Sequence, residues 1–71
     1  MKFIEARGRE YRNSRYRSYS IMFALDDIAR VIECVDDCDF TNIITKDGKF
    51  HTVNERYEAI IKKIKDAGDA E

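Results

Sequence analysis

The chain has 71 residues and a formal net charge of −1, with 38% charged and 44% hydrophobic residues and neither Trp nor Pro. This composition excludes an intrinsically disordered chain and predicts a single domain over residues 1–71. No apolar run approaches the roughly 20 residues that span a bilayer, and the N-terminus lacks the apolar core of a signal peptide. We therefore expect a cytoplasmic protein without membrane contact, placed in the host cytoplasm if a phage encodes it.

The small net charge conceals two blocks of opposite sign. Residues 1–20 carry six basic and two acidic side chains, a charge of +4, whereas residues 21–42 carry one basic and six acidic side chains, a charge of −5. The basic candidates for binding are Arg7, Arg9, Arg12, Arg15 and Arg17. The acidic candidates are Asp26, Asp27, Glu33, Asp36, Asp37 and Asp39. Such blocks pair internally, self-associate, or face different partners.

The first half of the chain predicts strands. Residues 2–7 alternate weakly and predict a strand that ends at Gly8. Residues 8–18 are polar, with Asn-Ser as a turn signal, and predict an Arg/Tyr-rich loop or exposed hairpin. Two further strands, over 19–25 and 29–34, flank a tight turn. Because apolar residues between 24 and 34 also fall at helical spacing, a helix is the alternative for that segment.

The second half predicts a hairpin and a helix. Residues 40–53 are two β-rich runs joined by Asp47-Gly48, the dipeptide of a type I′ turn. Apolar residues from Tyr57 to Ile64 recur at helical spacing. Thr52 and Glu55 have the spacing of a capping box, with Asn54 as the alternative cap. We expect the helix to end at Gly68 and residues 67–71 to form a frayed tail.

These elements predict an α+β fold, a small antiparallel sheet or open barrel of about four or five strands with one C-terminal amphipathic helix. The adjacent pairs Val31-Ile32 and Ile43-Ile44 send one apolar side chain to each face of a strand. One helix covers one face only. The other face then needs the N-terminal strand, barrel curvature or a second copy of the chain.

Residues 23–64 carry a recurrent pattern: an apolar-Asp-Asp-Ile turn, a strand, an acidic loop, then Ile-Ile-Thr-Lys-Asp-Gly-Lys, a strand ending in Val53, and a helix containing Glu-Ala-Ile-Ile. This pattern resembles the small flagellar or swarming-motility proteins of the FlbD type and similar short prophage proteins. The resemblance implies the fold and a role as a flagellar-type structural accessory. The Arg-rich segment between the first two strands and the two cysteines depart from that family.

Cys34 and Cys38 lie in a short acidic run and are the candidate metal ligands. Zinc needs four ligands in a structural site, and the two thiolates with a nearby carboxylate supply part of that set. His51 is a weaker candidate, because its hairpin register places it opposite Ile44 and far from Cys34. A homo-oligomer could complete the site with two thiolates from each copy. A disulfide, or two plain thiols without a cofactor, are the alternatives.

We predict a non-enzymatic binding or inhibitory module that engages a larger protein, such as a nucleic-acid enzyme, through its segregated charges and that forms a homo-oligomer. The lone histidine and the three isolated glycines offer no catalytic or phosphate-cradling motif. Phage-encoded inhibitors, anti-CRISPR proteins among them, supply the analogy of an acidic surface occupying a nucleic-acid channel. The first alternative is a nucleic-acid-binding regulator, because the segment Arg7–Arg17 interleaves guanidinium groups with phenols.

Overall fold

The computed structural model describes residues 2–69 as two small antiparallel sheets and a C-terminal helix. The elements are β1 (Phe3–Arg12), β2 (Arg15–Ala24), a 3₁₀ turn (Leu25–Asp27), β3 (Ile28–Glu33), β4 (Thr41–Thr45), β5 (Phe50–Val53) and α1 (Tyr57–Asp69). β1 pairs with β2, and the second sheet has the order β3-β4-β5. The predicted α+β class is confirmed, with the five strands divided between two sheets.

The first sheet is a long hairpin whose strands pair from Phe3 opposite Ala24 to Arg12 opposite Arg15. The prediction that β1 ends at Gly8 is wrong, since the strand continues through Gly8 to Arg12. Asn13 and Ser14 form the connecting turn, with φ of 53° and 62°. Two residues with positive φ between paired strands define a type I′ turn, whose twist matches that of the strands.

Burial divides this hairpin into an inner and an outer part. Ile4, Ala6 and Gly8 alternate with exposed neighbours and face the core, whereas residues 9–18 are all exposed. The outer part lengthens the molecule to 42 Å, against 23 and 22 Å in the other directions. The radius of gyration of 12.4 Å exceeds the roughly 11 Å of a compact chain of this size.

The segment 24–34, for which the sequence allowed a strand or a helix, forms a short turn followed by strand β3. Leu25–Asp27 makes one 3₁₀ turn, and the amide of Lys46 donates to the carbonyl of Asp27 at 2.9 Å. β3 then pairs with β4, with a register shift between Ile28 and Arg30 that leaves Ala29 as a bulge. Three of the apolar residues that matched helical spacing, Leu25, Ile28 and Val31, pack against the core from the turn and the strand.

The β4–β5 hairpin is confirmed, but its turn is not the predicted type I′. The Thr45 amide donates to the Lys49 carbonyl at 3.1 Å, and the Gly48 amide donates to the Thr45 carbonyl at 2.8 Å, which leaves a three-residue loop. In this loop only Gly48 has a positive φ, of 86°. A type I turn followed by a left-handed glycine is the usual three-residue solution. The extra residue places His51 opposite Ile43, not Ile44.

The core lies between the two sheets and the helix. Its buried members are Ile4, Ala6, Phe23, Ile43, Val53 and Ile60. Ile64 and Ala67 extend the same helix face onto this cluster. Complete burial of an isoleucine side chain stabilises the fold by about 1.5–3 kcal/mol. The helix is therefore held on the core mainly by Ile60 and its neighbours.

The ends of the helix differ from the sequence prediction. Thr52 Oγ1 donates to Asn42 Oδ1 at 2.7 Å, across the sheet, so Thr52 does not cap the helix. At the other end, Lys2 Nζ donates to the Gly68 carbonyl at 2.9 Å. The helix includes Ala67 and Gly68 and reaches Asp69, so those residues are not a frayed tail. Residues 70 and 71 of that predicted tail lie outside the described part of the chain.

Glu55 joins three elements next to the helix N-terminus. Its Oε2 accepts the amide proton of Arg7 at 2.9 Å, and its Oε1 accepts from Lys63 Nζ at 2.6 Å. Thr41 Oγ1 donates to the Glu55 carbonyl at 2.7 Å. Glu55 therefore ties β1, β4 and α1 together at the point where the outer part of the hairpin leaves the core.

Candidate binding arm

Residues 9–18 form an arm that projects from the body of the protein. Beyond the Gly8–Tyr19 pair, four residues of β1 and four of β2 continue to the turn, a length of about 14 Å at the usual rise per residue. The backbone of Arg7 is fixed at the base of the arm, because its amide donates to Glu55 and its carbonyl accepts from Asn54 N at 2.6 Å. The arm thus starts from an anchored strand and extends into solvent.

Strand alternation gives the hairpin two chemically different sides. Arg7, Arg9 and Tyr11 pair with Ser20, Ser18 and Tyr16, and we name this set of six residues the stacking face. The opposite side of the arm carries Glu10, Arg12, Arg15 and Arg17, here named the charged face. Arginine and tyrosine are interleaved in the sequence. In the strands, both tyrosines of the arm fall on one face and Arg12, Arg15 and Arg17 on the other, because paired residues share a face and successive residues do not.

Aromatic contacts organise the stacking face. The rings of Tyr11 and Tyr16 lie with centroids 5.0 Å apart and planes tilted by 56°. The Arg9 guanidinium carbon sits 3.8 Å from the centroid of Tyr16. Tyr11 and Tyr16 nevertheless remain 63% and 64% exposed. Cross-strand aromatic pairs and cation–π contacts each contribute about 0.5–1 kcal/mol at exposed positions, which helps a two-stranded arm to persist.

Tyr19 and Gly8 form the base of the arm on its core side. A Cβ atom at Gly8 would lie 2.3 Å from Tyr19 Cζ, so the Tyr19 ring occupies the space that a side chain would need. Nearby, Arg7, Ser18, Tyr19 and Ser20 line a shallow cavity of about 180 Å³. The guanidinium and two hydroxyl groups are hydrogen-bond donors, and the cavity lies next to the aromatic pair along the strand.

The positive charges of the hairpin are not neutralised within the part of the chain that the structure describes. Over residues 2–69, the ion pairs are Arg56–Asp39 at 3.6 Å and Lys63–Glu55 at 2.6 Å. Neither includes an arginine of the segment Arg7–Arg17. Internal pairing of the basic and acidic blocks, one of the three alternatives raised by the sequence, is therefore not what holds this fold together.

The acidic residues occupy two separate places. Asp26 and Asp27 lie in the 3₁₀ turn between the sheets. Glu33 ends β3. Residues 34–40 form the loop that follows, which we name the acidic loop, and it contains Asp36, Asp37 and Asp39. The Asp37 side chain accepts from the Asp39 amide at 3.0 Å, and its carbonyl accepts from the Phe40 amide at 3.1 Å. These bonds shape the loop locally.

The acidic loop lies near the base of the arm. β4 begins directly after the loop, at Thr41, which donates to Glu55, and Glu55 in turn accepts from Arg7. These hydrogen bonds connect the end of the acidic loop to β1 where the arm begins. One loop residue, Val35, is 90% exposed and makes the acidic surface partly apolar.

The candidate metal ligands do not converge. Cys34 and Cys38 are free thiols in the acidic loop, the first half-buried and the second exposed. His51 lies on β5, with its ring edge-on to Phe23 at 5.4 Å and Nε2 3.4 Å from Thr45 Oγ1. Within residues 2–69, no three histidine, cysteine or carboxylate side chains group closely enough to hold a metal. Zinc binding and the predicted homo-oligomer remain predictions.

No helix within residues 2–69 has the length and apolar character needed to cross a membrane. Comparison with known protein families, curated proteins and solved structures finds no match to this chain. The resemblance of residues 23–64 to FlbD-type proteins accordingly stays a prediction.

Sequence reasoning named the five arginines but not their partners on the strands. Ser18 and Ser20 were missed as cavity residues, and the pairing of Tyr11 with Tyr16 was not foreseen. The signal was present in Asn13-Ser14: a two-residue turn there places Tyr11 opposite Tyr16 and Arg9 opposite Ser18.

Proposed function

We propose that this protein is a non-enzymatic binding module that holds nucleic acid with its arm. The observation that carries the proposal is a projecting, exposed β-ribbon whose arginines form no ion pair with any residue from 2 to 69 and lie beside a pair of tyrosine rings in tilted contact. A two-stranded ribbon of this kind is narrow enough to enter a nucleic-acid groove or to lie along a single strand. Guanidinium groups bind phosphates, and phenol rings stack on bases.

The charge of the arm supports a polyanionic partner despite the net charge of the chain. Residues 7–18 carry five arginines and one glutamate, a charge of +4. Arg12 and Arg15 are directly opposite each other next to the turn, where like charges destabilise the hairpin. A bound phosphate would remove that repulsion. The unbound arm is therefore less stable than it would be with an anion between those side chains.

Salt-dependent binding to oligonucleotides tests the proposal. In the test variant, Arg7, Arg9, Arg12, Arg15 and Arg17 are all replaced by Gln. In the matched control, five exposed cations outside the arm, Arg30, Lys46, Lys49, Lys62 and Lys65, are replaced by Gln. Fluorescence anisotropy with labelled single-stranded and duplex DNA then gives the affinity as a function of salt for each protein.

We expect wild type and the control variant to bind at low salt, and the arm variant to lose binding. Each phosphate contact contributes about 0.7–0.9 to the slope of log K against log salt, so the wild-type slope should lie between about −1 and −4. Equal losses in the two variants would show that only overall charge matters. No binding of any oligonucleotide by wild type at low salt would refute the proposal.

The second candidate is the binding of a larger protein through the acidic loop, as an inhibitor occupying a basic channel. The specific observation in its favour is that Val35 is almost fully exposed among carboxylates, because protein interfaces combine an apolar centre with a polar rim. Replacement of Asp36 and Asp37 by Asn separates the two candidates. It should leave nucleic-acid binding unchanged or tighten it, because two negative charges are removed from the protein, whereas it should weaken binding to a basic protein surface.

A further inference from the structure

We infer that the ligand of the stacking face is single-stranded nucleic acid, with bases on the tyrosine pair and a phosphate in the cavity at the base of the arm. This inference rests on the proposed function and specifies its ligand. It depends on the separation of aromatic and purely charged side chains onto opposite sides of one ribbon, which neither composition nor net charge shows.

The aromatic pair offers ring surface that a duplex cannot use. The Tyr11 and Tyr16 rings are each more than half exposed, although they contact each other. In a duplex the faces of the bases are already stacked, so only edges and phosphates are accessible. Unpaired bases expose both faces and commonly stack on aromatic side chains or on arginine guanidinium planes.

Arg9 extends this stacking surface. Its guanidinium carbon lies 3.8 Å from the centroid of the Tyr16 ring, and Arg9 is itself exposed, so a base can approach the guanidinium from solvent. A base stacked on Arg9 would lie next to the Arg9–Tyr16 contact. A second base could use the free face of Tyr11. The arm therefore provides stacking positions at both ends of the pair.

The cavity lined by Arg7, Ser18, Tyr19 and Ser20 lies on the core side of the tyrosine pair, where it can hold a phosphate next to a stacked base. Ser18 lies two residues from Tyr16 on the same face, a separation of about 7 Å along the strand, and Ser20 lies about 7 Å farther on. The Arg7 backbone is held by Glu55 and Asn54, so the guanidinium starts from a fixed position. One charged and two hydroxyl donors can then bind phosphate oxygens.

The charged face lacks these features. Glu10, Arg12, Arg15 and Arg17 occupy it, and the next ring along that side, Tyr19, is packed over Gly8 at the base of the arm. This face can attract phosphates of either single or double strands, without stacking. The two faces can therefore be tested separately.

The first test replaces the tyrosines. Tyr11→Leu with Tyr16→Leu removes the rings, whereas Tyr11→Phe with Tyr16→Phe keeps them and serves as the matched control. The probe is a dT oligomer of about 12 nucleotides, alone or annealed to its complement. Because the chain contains no Trp, the fluorescence of its four tyrosines reports stacking directly.

We expect wild type and the Phe pair to bind the single strand at least about tenfold more tightly than the duplex, with quenching of tyrosine fluorescence in wild type. The Leu pair should lose about tenfold to a hundredfold in single-strand affinity, the usual effect of removing one stacked base contact. Its duplex affinity should change by less than about threefold.

The second test replaces cations on one face at a time, which keeps the inference testable if the Leu pair unfolds the arm. Arg7→Gln with Arg9→Gln should weaken single-strand binding more than Arg12→Gln with Arg15→Gln. Duplex binding equal to or stronger than single-strand binding, with no effect of the Leu pair, would overturn the inference and leave the proposed function intact. Absence of binding to both forms at low salt would overturn both.

Discussion

Replacement of Gly8 by Ala tests the packing at the base of the arm. In an ordinary strand this change stabilises the fold by about 0.5–1 kcal/mol, because glycine loses more conformational freedom on folding. Here the new Cβ would lie 2.3 Å from Cζ and 2.5 Å from Cε2 of Tyr19. The ring must therefore leave its place over the strand, and we expect Gly8→Ala to be destabilising.

The magnitude follows from the burial of Tyr19. The residue is 43% exposed, so a little more than half of a tyrosine surface of about 200 Å² is buried, or about 115 Å². Loss of all that contact would cost about 3 kcal/mol at 25 cal/mol per Å², which is an upper limit because the ring can find partial cover elsewhere. After the gain from alanine is subtracted, a net loss of about 1–2 kcal/mol remains.

Urea denaturation of wild type, Gly8→Ala, Tyr19→Ala and the double variant completes a mutant cycle. In the Tyr19→Ala background no ring blocks the Cβ, so Gly8→Ala should there stabilise the fold by about 0.5–1 kcal/mol. The sign of the Gly8 effect thus depends on Tyr19. If Gly8→Ala has the same sign and size in both backgrounds, the proposed contact between this glycine and the ring is wrong.

Three further outcomes follow from particular contacts. Ser14→Gly should raise the melting temperature by several degrees, because a non-glycine residue at φ 62° costs about 1–2 kcal/mol that glycine avoids; an unchanged melting curve would contradict the turn assignment. Glu55→Ala should destabilise the fold by about 1–3 kcal/mol in urea, and more than Glu55→Gln, which still accepts the Arg7 amide; equal losses would refute that role. The hydrogen bond from the Thr45 hydroxyl, followed by that from the Lys49 amide, lowers the pKa of Asp47 below its ordinary value of 3.8. A carboxyl whose pKa is lower in the folded state stabilises the fold above its unfolded pKa, so the advantage of wild type over Asp47→Asn should be full at neutral pH and should disappear as the pH falls below about 4. A difference that stays constant down to pH 2 would contradict it.

The sequence predicted the elements well where a local rule had no competitor. The β4–β5 hairpin and the apolar stripe of the helix are examples, because alternation and helical spacing leave little choice there. Turn types were harder to predict. Asp47-Gly48 carries the usual type I′ dipeptide but lies in a three-residue loop, whereas Asn13-Ser14, a weaker signal, makes the two-residue turn.

Other errors came from contacts between distant residues. Gly8 looks like a strand terminator, yet a tyrosine eleven residues later packs over it and lets the strand continue. Thr52 and Glu55 have capping-box spacing, but the Thr52 hydroxyl is used by Asn42 across the sheet and Glu55 by Arg7 and Lys63. The spacing of residues along the chain does not show which distant residues become partners, so local rules alone do not predict these contacts.

The sequence alone predicted only part of the candidate site. The five arginines and their tyrosine neighbours were recognised, because guanidinium and phenol groups have known uses at nucleic-acid surfaces. The division into a stacking face and a charged face required the strand register. Zinc binding at Cys34 and Cys38 stays a prediction, and in the same loop the Asp37 side chain accepts a hydrogen bond from the Asp39 amide.

The most direct test of the account is a residue-resolved titration with the single-stranded dT oligomer, followed by ¹⁵N–¹H NMR. If the arm is the binding surface, the amides of residues 7–20 should shift or broaden, with the largest changes near Tyr11, Tyr16 and Ser18. The amides of the acidic loop should change little. Changes confined to the acidic loop or to the helix, with the arm amides unmoved, would contradict the central claim.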